Sequence, residues 1–234
     1  MSRFKPLQSI QRQLLRLKRD ESALALTEFA FAAPILLLLG MVGIETVNFI
    51  AHHQKASQLA VLIADSASRK LERVDEQDVA EIFFGAHVSG ENYDLGSKGR
   101  VILTQLTDNG RVGSSNGNWV RWQRCYGELG EDDNLQSKYG VEGDGENNNS
   151  LANGMGPTGR EVVAYPGAPV NFVEVFLDYE PLIDNDLTRQ FYGDTQIYYI
   201  AAMMVRERGD QSISNQDGLS NSETWTCDRY DQFS

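Results

Sequence analysis

The sequence predicts an α+β fold in which one long N-terminal helix, apolar in its first half and amphipathic in its second, packs on a small antiparallel β-sheet head. Three observations carry this expectation. A run of 21 residues, Leu24 to Ile44, has only Thr27 and Glu28 as polar side chains. Helical spacing of apolar residues continues beyond that run, and VNFVEVFLDYEP (residues 170–181) alternates with strand periodicity.

The leader, residues 1–23, carries Arg3, Lys5, Arg12, Arg16, Lys18 and Arg19 against Asp20 and Glu21, a net +4. The chain total is −12, so −16 falls on everything after it. So acidic a remainder repels nucleic acid and anionic lipid, which argues against nucleic-acid partners. At about 1.5 Å per helical residue, the apolar run covers roughly the 30 Å of a bilayer's hydrocarbon core, which makes residues 24–50 a transmembrane candidate. Cations before the span and acidic sequence after it place the N-terminus in the cytoplasm and the C-terminal part across the membrane. A cleaved secretory signal and a plain single-pass anchor share this basic-then-apolar pattern. A signal peptide, however, ends in a small-residue site after a shorter apolar core, whereas here the run passes through Gly43 and Ile44 into Glu45 without one.

Past the span, Val47, Ile50, Ala56, Leu59, Ile63, Ala67, Leu71 and Val74 recur mostly at intervals of three and four, extending the helix as an amphipathic segment over residues 51–74. Pro34 lacks an N–H for the preceding turn and predicts a bend about one turn earlier. Asp75 and Asp78 form a capping-type start for a second helix with Val79, Ile82 and Phe83 on one face, ending near Gly85.

The extracytoplasmic head occupies residues 75–234. In its clearest strand, Val173, Val175, Leu177 and Tyr179 alternate with Glu174, Phe176, Asp178 and Glu180, so one face is expected to be buried. Further strand candidates are residues 101–106, 118–125, 160–165 and 195–206; the last, with IYYIAAMMV, has no clean period and also fits a helix. Residues 126–160 are rich in Gly, Asn and acid and read as a long loop without the apolar spacing of a core, at least partly disordered in isolation. Cys125 and Cys227, both beyond the membrane by the orientation above, favour a disulfide over two buried thiols.

No catalytic pattern stands out. His52 and His53 are neighbours pointing about 100° apart on a helix, so they cannot chelate one metal as an i, i+4 pair would, and His87 stands alone. There is no Gly-rich phosphate loop, nucleophile–His–acid order or paired catalytic carboxylate, so a non-enzymatic protein with no cofactor is expected. The acidic groups Asp132–Asp133, Asp144 with Glu146, and Asp184 with Asp186 are weak calcium candidates lacking a full ligand loop; a solvated acidic surface is the plainer reading.

A carboxylate inside an apolar helix is costly unless it pairs, so Glu28 is a functional candidate. A basic leader, a small residue (Ala23), a short apolar stretch from Leu24, Glu28, the aromatic Phe29, then Pro34 and the Leu36–Leu39 run resembles the N-terminus of type IV prepilins, and in detail the TadE-like minor pilins of the tight-adherence (Tad, Flp-type) pilus. The resemblance is specific over about residues 22–67 and architectural beyond, where it implies a pilin-like head. It implies cleavage by prepilin peptidase between Ala23 and Leu24, where Gly usually precedes the cut. Leu24 would become the first mature residue and Glu28 the fifth, with Glu28, Phe29 and Pro34 in the assembly helix. Its implied partners are membrane lipid, other pilins, the peptidase and the Tad inner-membrane platform. It implies a place in the bacterial inner membrane, with the head in the periplasm or on the pilus at the cell surface. The competing reading is an uncleaved single-pass membrane protein with an extracytoplasmic binding or scaffolding domain.

Overall fold

The computed structural model describes residues 22–70, 73–113, 116–182, 196–205 and 209–233. The chain divides into two compact units, Met1–Asn48 and Phe49–Ser234. One helix, α1 (Ser22–Ser68), runs through the boundary between them.

In the first unit the large apolar side chains of the helix, from Leu24 to Val47, are exposed, between 43 % at Met41 and 80 % at Phe31. It is long and apolar enough to cross a membrane, as an anchor or as a signal sequence. The helix continues without a break through Pro34. Because proline has no N–H, the carbonyl of Ala30 lacks its usual donor. Thr27 and Thr46 turn their hydroxyls back onto the carbonyls of Leu24 and Val42 at 2.8 and 2.7 Å, which hides the hydroxyls within the helix.

In the second unit, α1 buries Ala56, Leu59, Ala60, Ile63, Ala64 and Ala67 at spacings of three and four. Four of these six residues are alanines. The helix stops at Ser68, short of the expected residue 74. Val74 is buried outside the helix, because Asp75 must adopt an extended backbone (φ −103°, ψ 157°) to cap the next one. Helix α2 (Glu76–Gly90) begins with the expected box: the Asp75 carboxylate accepts from the Gln77 N–H at 3.3 Å, and the Asp78 carboxylate accepts from the Asp75 N–H at 3.1 Å. It runs through Gly85 to Gly90. An interior glycine costs only about 1 kcal/mol, less than the burial of Val79, Phe83 and Ala86 returns. A 3-10 turn (Glu91–Tyr93) and a one-turn helix α3 (Leu95–Lys98) then lead into the sheet.

The sheet contains β1 (Gly99–Asp108), β2 (Asn118–Tyr126), β3 (Val170–Asp178) and β4 (Gln196–Met204), all antiparallel in the order β2-β1-β3-β4. The segment that fits either helix or strand is therefore a strand, and residues 160–165 are not one. They contribute only isolated bridges, Met155 with Val162 and Tyr165 with Ala168.

The sheet is covered on both faces, against the expectation of one buried face. Val101, Leu103, Val173, Val175 and Leu177 face α1 and α2. On the opposite face, Leu106, Val120 and Phe172 meet Leu151 and Met155, while Ile102, Cys125 and Phe176 meet Leu129 and Leu135. The covering residues come from the segment expected to be a partly disordered loop. It is held by turns instead: glycines at positive φ, among them Gly127 (+102°) and Gly145 (+82°), lie where a Cβ would come within 2.2 Å of the Gly99 carbonyl and 2.0 Å of the Asn118 carbonyl. Sparse apolar residues suffice because the sheet supplies most of the hydrophobic surface.

Candidate functional site

The residues singled out for processing and assembly all lie on the first turns of α1. Ala23 is in the opening turn; Leu24 and Phe29 are 61 % and 65 % exposed, and Glu28 and Pro34 are exposed too. Leu24 and Glu28 are four residues apart and so share one helix face, about 5–6 Å apart at Cβ. A cation at the main-chain nitrogen of Leu24 would sit within a turn of the carboxylate.

Cys125 and Cys227 form a disulfide that spans 102 residues. It fastens the C-terminal segment to β2, and other bonds reinforce the attachment: the Cys125 and Gly127 N–H groups donate to the carbonyls of Trp225 and Asp231 at 2.8 and 2.9 Å. The fully buried Arg100 sends Nη1 to the carbonyls of Gly127 and Arg229 and Nη2 to that of Cys227, at 2.7–2.8 Å, and lies over the Tyr230 ring at 3.9 Å. Its charge is solvated by carbonyls, and among the described residues no carboxylate is bonded to it. Burial pulls its pKa down to about 10, against the upward pull of Tyr230 and Asp228.

Two buried carboxylates tie the layers together. Glu76 of α2 accepts Arg124 Nε at 3.0 and 2.9 Å on its two oxygens, and both side chains are almost wholly buried. The same guanidinium reaches Glu142 of the covering segment at 3.1 Å. On the other face Glu174, fully buried, accepts the Lys138 N–H at 3.0 Å, the Tyr198 hydroxyl at 2.8 Å and the Ser137 hydroxyl. Lys138 Nζ stands 3.9 Å over the Tyr198 ring. Burial raises the Glu174 pKa in spite of these donors, and burial together with Glu174 pushes the Tyr198 hydroxyl far above its usual range. Neither carboxylate could be found from sequence: alternation placed Glu174 on the exposed face, and only knowledge of a second covering layer reverses that.

The histidines serve as packing groups. His52 meets Tyr93 and Tyr179 edge-on, with ring centroids 4.7 and 4.9 Å away. His53 meets Phe49 at 4.4 Å, and its Nδ1 is 3.3 Å from the Tyr199 hydroxyl; burial and the neighbouring His52 lower its pKa. His87 Nδ1 lies 2.6 Å from the Tyr126 hydroxyl, which burial pushes up to about 12. A groove of about 600 Å³ runs along α1 beside β4, lined by Phe49, Ile50, His53, Gln54, Ser57, Gln58 and Tyr199.

Among the described residues, no three His, Cys, Asp or Glu side chains converge to hold a metal ion. Asp132 and Asp133 are exposed, and Asp144 uses its carboxylate on the Val141 N–H at 2.9 Å. Glu146 meets Arg111 through its backbone carbonyl. Asp184 and Asp186 lie outside the described residues.

The chain matches no protein-family model, no curated protein and no solved structure. Its functional reading therefore rests on its own residues.

Proposed function

We propose that the chain is a non-enzymatic minor pilin or pseudopilin-like subunit of a Tad (Flp-type) pilus assembly system. Prepilin peptidase matures it between Ala23 and Leu24, and it assembles through α1. The observation that carries this reading is the division of labour along one unbroken helix. Residues beyond Phe49 bury alanine and leucine in the head, while the large apolar side chains of residues 24–47 are exposed, and of the two acids in that stretch Glu28, near the start, is exposed and Glu45 is buried. A soluble surface helix keeps a polar face. A helix made to be surrounded by lipid or by other apolar helices does not.

The acid has a function in this reading. Cleavage would create an ammonium at Leu24 one turn from Glu28, on the same chain or on a neighbouring subunit, and opposite charges in a low-dielectric setting neutralise each other. Partners are other pilins, the peptidase and the inner-membrane platform. The head is periplasmic or displayed on the pilus. The uncleaved single-pass reading is favoured by one residue, Ala23, which stands where these pilins usually have glycine.

Intact mass and N-terminal sequencing of protein from membranes, with and without active prepilin peptidase, separate the two. A terminus at Leu24 that depends on the enzyme supports the proposal, and Met1 retained in both samples refutes processing. In the same cells Glu28→Ala leaves the protein present at wild-type level but absent from sheared pili. Wild-type amounts of the variant in pili would remove Glu28 from assembly.

A further inference from the structure

Of all the asparagines in the chain, only Asn148 stands two residues before a serine or threonine with no proline between, in Asn148-Asn149-Ser150. That triplet is an acceptor sequence for N-linked sugar, a modification of surface segments that have crossed a membrane. Two residues ahead of the asparagine stands Glu146, and the acceptor form used by bacterial oligosaccharyltransferases carries an acid at that place. Neither the pairing of the sheet nor the buried carboxylates account for these residues.

An acceptor sequence is usable only where the fold presents it. Residues 146–150 are all exposed, in turn and bend conformation, between two points that are fixed on Asn118, the first residue of β2. On one side, Gly145 lies where a Cβ would come within 2.0 Å of the Asn118 carbonyl. On the other, Leu151 is buried and its carbonyl accepts the Asn118 N–H at 3.0 Å. Arg111 steadies the first half of the loop, with Nε donating to the Glu146 carbonyl at 2.9 Å and Nη2 to Asn147 Oδ1 at 2.5 Å. Asn148 is the middle residue of the five. Its Oδ1 accepts the Ser150 N–H at 2.9 Å, so the turn uses the oxygen of the carboxamide and not the nitrogen.

We propose that Asn148 is the acceptor of an N-linked glycan, transferred from a polyprenyl-diphosphate-linked oligosaccharide. In the transfer Asn148 Nδ2 bonds to the anomeric carbon of the sugar. The bond from that carbon to the diphosphate oxygen breaks with its electron pair leaving on the diphosphate, the amide gives one proton to a base of the transferase, and nothing is oxidised or reduced. The Ser150 hydroxyl and the Glu146 carboxylate are the groups by which the transferase recognises the loop. Because Asn148 is exposed while Leu151 stays buried against the sheet, the sugar extends into solvent and the covering layer keeps its contacts. The inference rests on the reading that residues 75–234 lie across the membrane from the N-terminus.

The test is mass spectrometry of the full chain, made in a bacterial host that carries an oligosaccharyltransferase and a lipid-linked oligosaccharide of known mass. Trypsin cuts after Lys138 and Arg160 and releases Tyr139–Arg160, which holds the whole acceptor sequence. That peptide gains the mass of the oligosaccharide. Asn148→Gln and Ser150→Ala abolish the gain, Ser150→Thr retains it, and Glu146→Gln lowers the modified fraction several-fold; all three positions are exposed, so the fold is kept. Thiol labelling of Cys125 and Cys227 without reductant, on the same samples, reports the compartment of the head. An unmodified peptide from chains whose cysteines are bonded would overturn the site and leave the orientation standing. An unmodified peptide from chains whose cysteines are free would overturn the site and the orientation together. A gain of mass that survives Asn148→Gln would assign the sugar to another residue and overturn the proposal as well.

Discussion

The Glu76–Arg124 pair is the sharpest energetic test of the head, because both side chains are more than nine-tenths buried and the guanidinium meets the carboxylate through Nε at 2.9 and 3.0 Å and through Nη2 at 2.5 Å. Removing one partner of such a pair costs about 3–5 kcal/mol, since the remaining charge is left buried. In Glu76→Ala, Arg124 keeps the Gln123 carbonyl at 2.7 Å and the half-exposed Glu142 at 3.1 Å, so the loss belongs near the lower end, about 3 kcal/mol. At about 2–4 °C per kcal/mol for a unit of this size, the melting point of the disulfide-bonded chain in detergent falls by about 6–12 °C. Arg124→Met costs at least as much, because it strands Glu76 without its cation. The double variant Glu76→Leu with Arg124→Met replaces the pair by apolar groups and returns to within about 1 kcal/mol of wild type. Urea unfolding monitored by tryptophan fluorescence reads all four corners of the cycle. A single-variant loss under 1 kcal/mol would mean that the pair is solvated and the layers are held otherwise. A double variant as poor as the singles would mean that the directional bonds, and not the avoidance of stranded charge, do the holding.

Two further outcomes follow from the same covering layer. For Glu174, burial raises the folded-state pKa above the unfolded value, so the protonated form is favoured in the fold; stability associated with this group is full below the unfolded pKa and declines as pH rises through the folded one. Glu174→Gln, whose amide can donate to Ser137 and accept from Lys138 and Tyr198, therefore flattens the wild-type decline above pH 4, whereas Glu174→Ala strands three donors and costs about 3 kcal/mol at any pH; parallel stability–pH curves for wild type and Glu174→Gln would contradict the shift. Reduction of the Cys125–Cys227 bond, or Cys227→Ser, removes a link across 102 residues worth about 4–5 kcal/mol in the chain-entropy account, and unchanged urea midpoints with and without reductant would show that Arg100 and the backbone bonds suffice to hold the C-terminal segment.

What the sequence made legible were the features with strong local signatures. The apolar helix, the Asp75 capping box and three of the four strands each have a period or a cap that works without tertiary information. The pairing of Cys125 with Cys227 was legible because two cysteines leave one choice. The failures share one cause. Sequence alone ends helix α2 near Gly85, because glycine is a stop signal, whereas burial of Phe83 and Ala86 carries the helix past it. The strand at Gln196–Met204 lacked a clean period because half-buried edge residues need not alternate in hydrophobicity. Residues 126–160 look like a long loop in sequence because their few apolar side chains are too widely spaced for a helix or strand. Leu151 and Met155 need no spacing of their own once a finished sheet face is waiting for them.

The covering segment also bears on what the head is for. A four-stranded sheet with one face on α1 would be complete as a helix-bearing unit if its other face were polar. Here that face carries Ile102, Leu106, Phe172 and Phe176, and the chain spends residues 126–168, its C-terminal segment and a disulfide on covering it and on closing the β2 edge.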